Sequence, residues 1–263
     1  MTSPAHSFDD STGYERLIGR WSRAVGSIFI EWLAPPANAR WLEVGCGTGV
    51  FTELVVQKCD PASIDALDPE QTQIEHARRQ PVAKRANFQV ADAQTLPFDD
   101  ASFDIVASAL VINFIADKHR ALSEMRRVAR AGGVVAGYVW DFAMEHSPSG
   151  PFRNAMRAFG IDVAALPGAD ESTLPALHAL FKQAGLIDIT TRAIDVSLPY
   201  TGFDDFWQAQ TTRYSPTTKL IDAMTHSERE RLMQSLRDAV PSRADGTIEY
   251  FARANAIMAR APH

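Results

Sequence analysis

The sequence predicts an α/β fold, an open and mostly parallel sheet with helices on both faces. Three observations predict it. An apolar run at 41–44 enters the turn Gly45-Cys46-Gly47-Thr48-Gly49, and an amphipathic helical stretch follows. Short apolar runs then alternate with helical periodicity up to residue 140, the pattern of a parallel sheet with crossover helices. The second apolar run ends in Asp68, 19 residues after Gly49. That is where an open α/β sheet presents a carboxylate to a ribose.

The glycine turn indicates the ligand. Glycine lets a chain turn sharply and lets its backbone touch a ligand, because no Cβ intervenes. A dinucleotide turn reads G-x-G-x-x-G, but here the third glycine, Gly49, comes one place early and Val50 stands at the dinucleotide position. Glu43 precedes the turn, and a carboxylate there repels a pyrophosphate and attracts an ammonium group. A ligand with adenosine at one end and an amino acid at the other fits better than NAD. In Glu43, Gly45, Gly47 and Gly49 the sequence resembles the E-x-G-x-G-x-G motif of class I S-adenosylmethionine-dependent methyltransferases, in their small-molecule, type-11-like branch. The resemblance implies a Rossmann-like sheet of seven strands, the last antiparallel between the fifth and sixth, and S-adenosyl-L-methionine as cofactor. Cys46 lies within the same turn, where a small residue needs only to fit.

Composition sets the outer bounds. The 263 residues are 46% hydrophobic and 22% charged, ordinary globular values. Net charge is −6 and the pI about 5.6, without a Lys/Arg run, so a nucleic-acid partner is not expected. The first ten residues lack the basic head and apolar centre of a signal peptide. No apolar run approaches the ~20 residues of a membrane span. With only Cys46 and Cys59, neither a disulfide framework nor a cysteine zinc site is expected, and a cytoplasmic location is the simple expectation. The oligomeric state stays open.

Taken in order, residues 1–39 form an N-terminal helical cap segment. Residues 1–13 are polar; apolar positions then recur at intervals of three and four over 14–33, predicting an amphipathic helix ended by Pro35 and Pro36. The Y-E-R-L-I-G-R-W-S stretch at 14–22 resembles the family's helix that closes over the cofactor, which implies Tyr14 and Arg20 at its carboxylate end, since arginine offers paired donors. A core tyrosine and a surface arginine are the competing readings. The core spans 40–200. Its first strand is 40–44, its first helix begins at Thr48 or Gly49, and its second strand is 63–67. Asp68-Pro69 follows: ribose binding is the favoured reading, and a helix N-cap with Pro69 in first helical position is the alternative. A helix at 71–80 and a strand at 87–90 lead to Asp92-Ala93. The resemblance implies that Asp92 accepts from the adenine amino group and that the Ala93 amide meets the ring; a simple turn is the alternative for Asp92. The segment at 96–104, L-P-F-D-D-A-S-F-D, matches the family without a gap.

The fourth strand is expected at 105–112. The resemblance implies that its far end, Ser108 and Ala109 and then Asn113 and Phe114, lies under the methionine part and faces the acceptor. A helix at 117–130 and a strand at 134–140 follow, with Trp140 a further pocket candidate. A loop and helical insertion occupies about 141–173, a helix 174–184 and a strand 187–198. Residues 201–245 read as an inserted helical cap, with Ser227 and Glu230 as the capping box of its last helix. Residues 246–263 hold the last core strand and tail.

Methyl transfer from a sulfonium is an in-line displacement that requires nucleophile, carbon and sulfur to be held in line away from water. A general base matters for a hydroxyl acceptor, and His146 is the candidate; no metal-ligand spacing is present. The leading expectation is a methyltransferase acting on a small, partly apolar acceptor. A non-catalytic module holding S-adenosylmethionine or S-adenosylhomocysteine is the alternative, and an NAD-dependent oxidoreductase ranks third.

Overall fold

The computed structural model describes residues 19–211 and 216–263. Tyr14 lies outside the described residues. A seven-stranded sheet in the order β3-β2-β1-β4-β5-β7-β6 organises the chain. Helix α1 (Arg20–Leu33) precedes β1 (Arg40–Val44), and α2 (Val50–Cys59), β2 (Ser63–Asp68), α3 (Gln71–Arg79) and β3 (Asn87–Val90) complete the first half. The second half holds β4 (Phe103–Ala109), α4 (Lys118–Val128), β5 (Ala129–Trp140), α5 (Gly150–Ala158), α6 (Leu174–Gln183), β6 (Ile187–Tyr200) and β7 (Ile248–Arg260). Strands β1 to β5 pair in parallel; β7 runs antiparallel between β5 and β6, as expected.

The alternation of side chains along each strand divides the core into two layers. Trp41, Ile105, Tyr138 and Trp140 face one layer with Val25 and Phe29 of α1 and Phe51 and Val55 of α2. Their neighbours Leu42, Val106 and Val139 face the other, with Leu122 and Met125 of α4 and Leu177 and Phe181 of α6. Both faces of the central strands are therefore buried, which is why these strands read as continuous apolar runs.

Among the described residues, three helices stand between β6 and β7: α7 (Phe203–Gln210), α8 (Pro216–Asp222) and α9 (His226–Ala239). Phe206, Ile221, Leu232 and Leu236 join the first layer beside Phe152 and Met156 of α5. The capping box of α9 is Thr225 with Glu228, two residues earlier than expected. Both S/T-x-x-E registers exist in the sequence, and the earlier one adds two residues to the start of the helix whose Leu232 and Leu236 are buried. β4 ends at Ala109, short of the expected 112, because Leu110 takes a left-handed φ of 63° and a 3₁₀ turn follows at Ile112–Phe114.

Candidate functional site

The glycine turn is built by positive φ angles of 82° at Gly45, 51° at Gly47 and 88° at Gly49, the left-handed region that glycine enters without penalty. The N–H groups of Gly45 and Cys46 both donate to the Leu67 carbonyl, at 2.8 and 2.9 Å, so the turn is folded onto the end of β2. Ser108 Oγ, buried on β4, donates to the Val44 carbonyl at 3.0 Å and secures the turn from the other side. A Cβ on Gly45 would sit 2.5 Å from both γ carbons of Val111. A Cβ on Gly47 would meet nothing within 4 Å. The turn therefore packs tightly at its first glycine and presents bare backbone at its second.

Asp68 faces this bare backbone. Its Oδ2 accepts the Gly47 N–H at 2.9 Å and its Oδ1 accepts the Glu70 N–H at 3.0 Å. Burial pushes its carboxyl pKa up while the two backbone donors pull it down. Each oxygen retains a second acceptor site, so the carboxylate can hold the turn and still receive hydroxyl donors. The helix-cap alternative does not hold: α3 starts at Gln71 with Glu70 as its N-cap residue, and Pro69 precedes the helix.

Glu43 lies beneath the turn, 1% exposed. Its Oε2 accepts from Thr52 Oγ1 at 2.5 Å. Desolvation raises its pKa to about 8, Thr52 acts against that rise, and the Asp68 charge adds to it. The sequence reading missed Thr52, although a hydroxyl between Phe51 and Leu54 on the apolar side of α2 is the signal that could have found it. Cys46 is buried, and desolvation with the Glu43 and Asp68 charges pushes its thiol well above the usual range; it fills space rather than reacting.

The remaining candidates are placed as follows. Asp92 is exposed and closes a turn: its Oδ1 accepts the Gln94 backbone N–H at 2.8 Å, and Gln94 Nε2 reaches both of its carboxylate oxygens at 3.1 Å. Ala93 beside it is buried, and Ala109 half-buried. Asn113 is buried, and the half-buried Phe114 meets the Phe142 ring edge-on at 6.2 Å. Trp140 belongs to the first core layer, its ring edge-on to Trp21 at 6.3 Å; packing of a large apolar surface accounts for its position. The Arg20 guanidinium donates to the Pro199 carbonyl at 2.9 Å and lies over the Tyr200 ring, so its contacts are on β6 rather than on the glycine turn. His146 Nδ1 stands 3.3 Å from Asp141 Oδ2, and its ring lies against Phe251 of β7, a strand that β5 and β4 separate from β1. The structure thus gathers Glu43, the three glycines, Asp68 and Ser108 around one turn and places Arg20, Trp140 and His146 elsewhere.

Comparison with known proteins agrees with this geometry. The sequence profile of the methyltransferase domain matches residues 42–137. The demethylmenaquinone methyltransferase of Roseiflexus castenholzii is 31% identical over 176 residues, covering 61% of this chain and 73% of that protein. The chloroplastic 2-methyl-6-phytyl-1,4-hydroquinone methyltransferase 2 of rice is 38% identical over 95 residues, 36% of this chain and only 27% of its own length. Among solved structures, the phosphoethanolamine N-methyltransferase 2 of Haemonchus contortus in complex with S-adenosyl-L-methionine superposes with a TM-score of 0.61, covering 100% of this chain and 61% of that one at 17% identity, a likeness of fold. On its strand order, its glycine turn and the extent of the Roseiflexus match, the chain belongs to the class I S-adenosylmethionine-dependent methyltransferases.

Proposed function

We propose that the chain holds S-adenosylmethionine against the backbone at Gly47 and directs its methyl group to a small, partly apolar acceptor. The observation that carries this reading is the open side of Gly47, bordered by a carboxylate, Asp68, that is already tied to the turn. Asp68 is suited to the ribose hydroxyls, and Asp92 and the Ala93 amide to the adenine; Glu43, expected to meet the ammonium group, is instead buried and held by Thr52, and supports the turn from beneath. The cofactor supplies a methyl carbon already activated by its positive sulfur. The protein's share is to orient and to exclude water. Ser108 and the Leu67 carbonyl fix the turn, and Val111 covers its first glycine. Known relatives carry the names of varied small-molecule methyltransferases, which supports a small acceptor. In this reading α1 and the helices between β6 and β7 cover the acceptor side. No helix among the described residues is long and apolar enough to cross a membrane.

Calorimetric titration of ligand-stripped protein with S-adenosylmethionine, S-adenosylhomocysteine and NADH tests the cofactor. Micromolar binding of both adenosyl ligands and none of NADH is expected; NADH binding alone would overturn it. Formation of S-adenosylhomocysteine in a screen of small hydroxyl, amine and carbon acceptors separates an enzyme from a mere binding module.

A further inference from the structure

Acids flank the glycine turn, and among the described residues no cation is paired with them. Glu43 lies beneath the turn, 1% exposed, and accepts from Thr52 Oγ1 at 2.5 Å. Asp68 borders the turn from β2, and its partners are two backbone N–H groups, those of Gly47 and Glu70. The charges that act on this cluster are negative: that of Asp68 on Glu43, that of Glu70 on Asp68, and those of Glu43 and Asp68 together on the Cys46 thiol. The groups facing Glu43 are thus Thr52 from α2, Cys46 from the turn and Asp68 from β2. Beside it in register stand Ala66 of β2 and Ala107 of β4, neither of which titrates.

A carboxylate buried without a cation is unfavourable, because no opposite charge repays its desolvation. Burial accordingly pushes Glu43 up to about 8, and the Thr52 hydroxyl offsets only part of the rise. The counter-charge that the cluster lacks is one that the cofactor carries. S-adenosylmethionine has a sulfonium and an ammonium against a single carboxylate and is a net cation; S-adenosylhomocysteine has lost the sulfonium charge and is neutral overall. The charge of Glu43 is felt on both borders of the bare backbone at Gly47, since Cys46 precedes that glycine and Asp68 accepts its N–H. A ligand lying on Gly47 stands in the same field, across a buried turn where water and salt screen weakly.

We infer that Glu43 distinguishes cofactor from product by charge: it yields its proton to solvent when the cationic cofactor occupies the turn, and recovers a proton from solvent once methyl transfer has left the neutral thioether there. This rests on the cofactor placement proposed above and goes beyond it, since Glu43 acts through space and needs no contact with the ligand. It is a charge-selecting residue, not a catalytic one. A nearby positive charge favours the ionised carboxyl, so S-adenosylmethionine gains affinity as pH rises and Glu43 ionises, while S-adenosylhomocysteine gains less. High pH therefore favours exchange of product for fresh cofactor, and low pH removes the distinction.

Calorimetric titration of the full chain with S-adenosylmethionine and with S-adenosylhomocysteine, in steps from about pH 6 to about pH 9, reads this as the ratio of the two affinities. In wild type the ratio is expected to rise about tenfold in favour of S-adenosylmethionine, the effect of a unit charge across a weakly screened distance. Glu43→Gln keeps an acceptor for Thr52 and removes the titration, so its ratio should stay flat. The ligands' own ammonium groups titrate against both proteins, and the variant subtracts them. Thr52→Val removes the hydrogen bond that favours the charged form, so the rise should persist and move to higher pH. A merely structural role for the pair would not move it. A flat ratio in wild type overturns the inference, as does an undiminished rise in Glu43→Gln or an unmoved one in Thr52→Val. Should Glu43→Gln fail to fold, wild type and Thr52→Val decide. Binding of neither ligand at any pH would overturn the cofactor placement and this inference with it, whereas binding of both with an unchanging ratio overturns this inference alone.

Discussion

Asp68 Oδ2 accepts the backbone N–H of Gly47 at 2.9 Å, so the carboxylate at the tip of β2 shapes the turn at the end of β1 before any ligand arrives. Asn at this position supplies one acceptor oxygen and turns an NH₂ group toward a second N–H. Asp68→Asn is expected to weaken S-adenosylmethionine binding roughly 10- to 100-fold, the worth of one hydrogen bond to a charged group, about 1.5–3 kcal/mol. Its ligand-free melting temperature should fall by a few degrees, at roughly 2–4 °C per kcal/mol for a chain of this size. Calorimetry and thermal melts check the two parts, and unchanged affinity would remove the ribose from Asp68.

Glu43 ties stability to pH. Its pKa is about 8 in the folded protein against 4.5 in an unfolded chain, because burial disfavours the charged form and Thr52 offsets only part of that. The raised value means that the protonated form is the better-folded one. The contribution to stability is complete below pH 4.5 and is lost as pH rises through about 8, by up to a few kcal/mol. The groups facing it are Thr52 on α2, Cys46 in the turn and Asp68 on β2; the Asp68 charge opposes ionisation further. Glu43→Gln keeps an acceptor for Thr52 and removes the titration. Denaturant titrations at several pH values should show the variant gaining stability over wild type between pH 4.5 and 8, and a constant difference would contradict this account.

The sheet and the turn were legible because they rest on local signals. The spacing of Gly45, Gly47 and Gly49 and the interval in sequence to Asp68 are local, and continuous apolar runs mark β1, β4 and β5 as strands buried on both faces. The contacts of Arg20, Trp140 and His146 were not legible because their partners, Pro199, Trp21 and Phe251, are remote in sequence. No periodicity says whether an aromatic at a strand end packs inward or borders a pocket. Thr52 was missed for a related reason: its place on the apolar side of α2 marks it as buried, but the crossing of α2 over β1 is what brings its hydroxyl to Glu43. The register of the α9 cap was ambiguous in itself, since Thr225 and Ser227 each stand three residues before a glutamate.

Gly45 and Val111 form a tight pair. An alanine at Gly45 would carry a φ of 82° and place its Cβ 2.5 Å from both Val111 γ carbons. Left-handed strain of about 1–2 kcal/mol adds to an overpacking cost of similar size. Gly45→Ala should therefore lower stability by about 2–4 kcal/mol in urea denaturation. Val111→Ala in the same chain should return part of this, as a coupling energy of about 0.5–3 kcal/mol. Gly47→Ala bears the strain alone, since its outward side is open, yet it should cost more in S-adenosylmethionine affinity than in stability. Strict additivity of Gly45→Ala and Val111→Ala would show that the contact does not matter.

His146 supplies the last prediction, a negative one. Its backbone is tied by two hydrogen bonds, from its N–H to the Asp141 carbonyl and from the Arg253 N–H to its own carbonyl, both under 3 Å at 2.9 and 2.8 Å. Its ring is thereby held over β7, against Phe251 and beside the Asp195–Arg253 ion pair, whose Asp195 Oδ1 is 2.6 Å from Arg253 Nε. Strands β4 and β5 separate β7 from the glycine turn on β1. A base must come within about 3 Å of the proton that it removes, and loss of one costs about 10²- to 10⁴-fold in rate. His146→Ala should therefore retain turnover within about tenfold of wild type on whichever acceptor the screen yields, and its rate–pH profile should keep the wild-type shape. A hundredfold loss of kcat with unchanged S-adenosylmethionine affinity would mean that the ring swings toward β4 during catalysis and would restore it as the base.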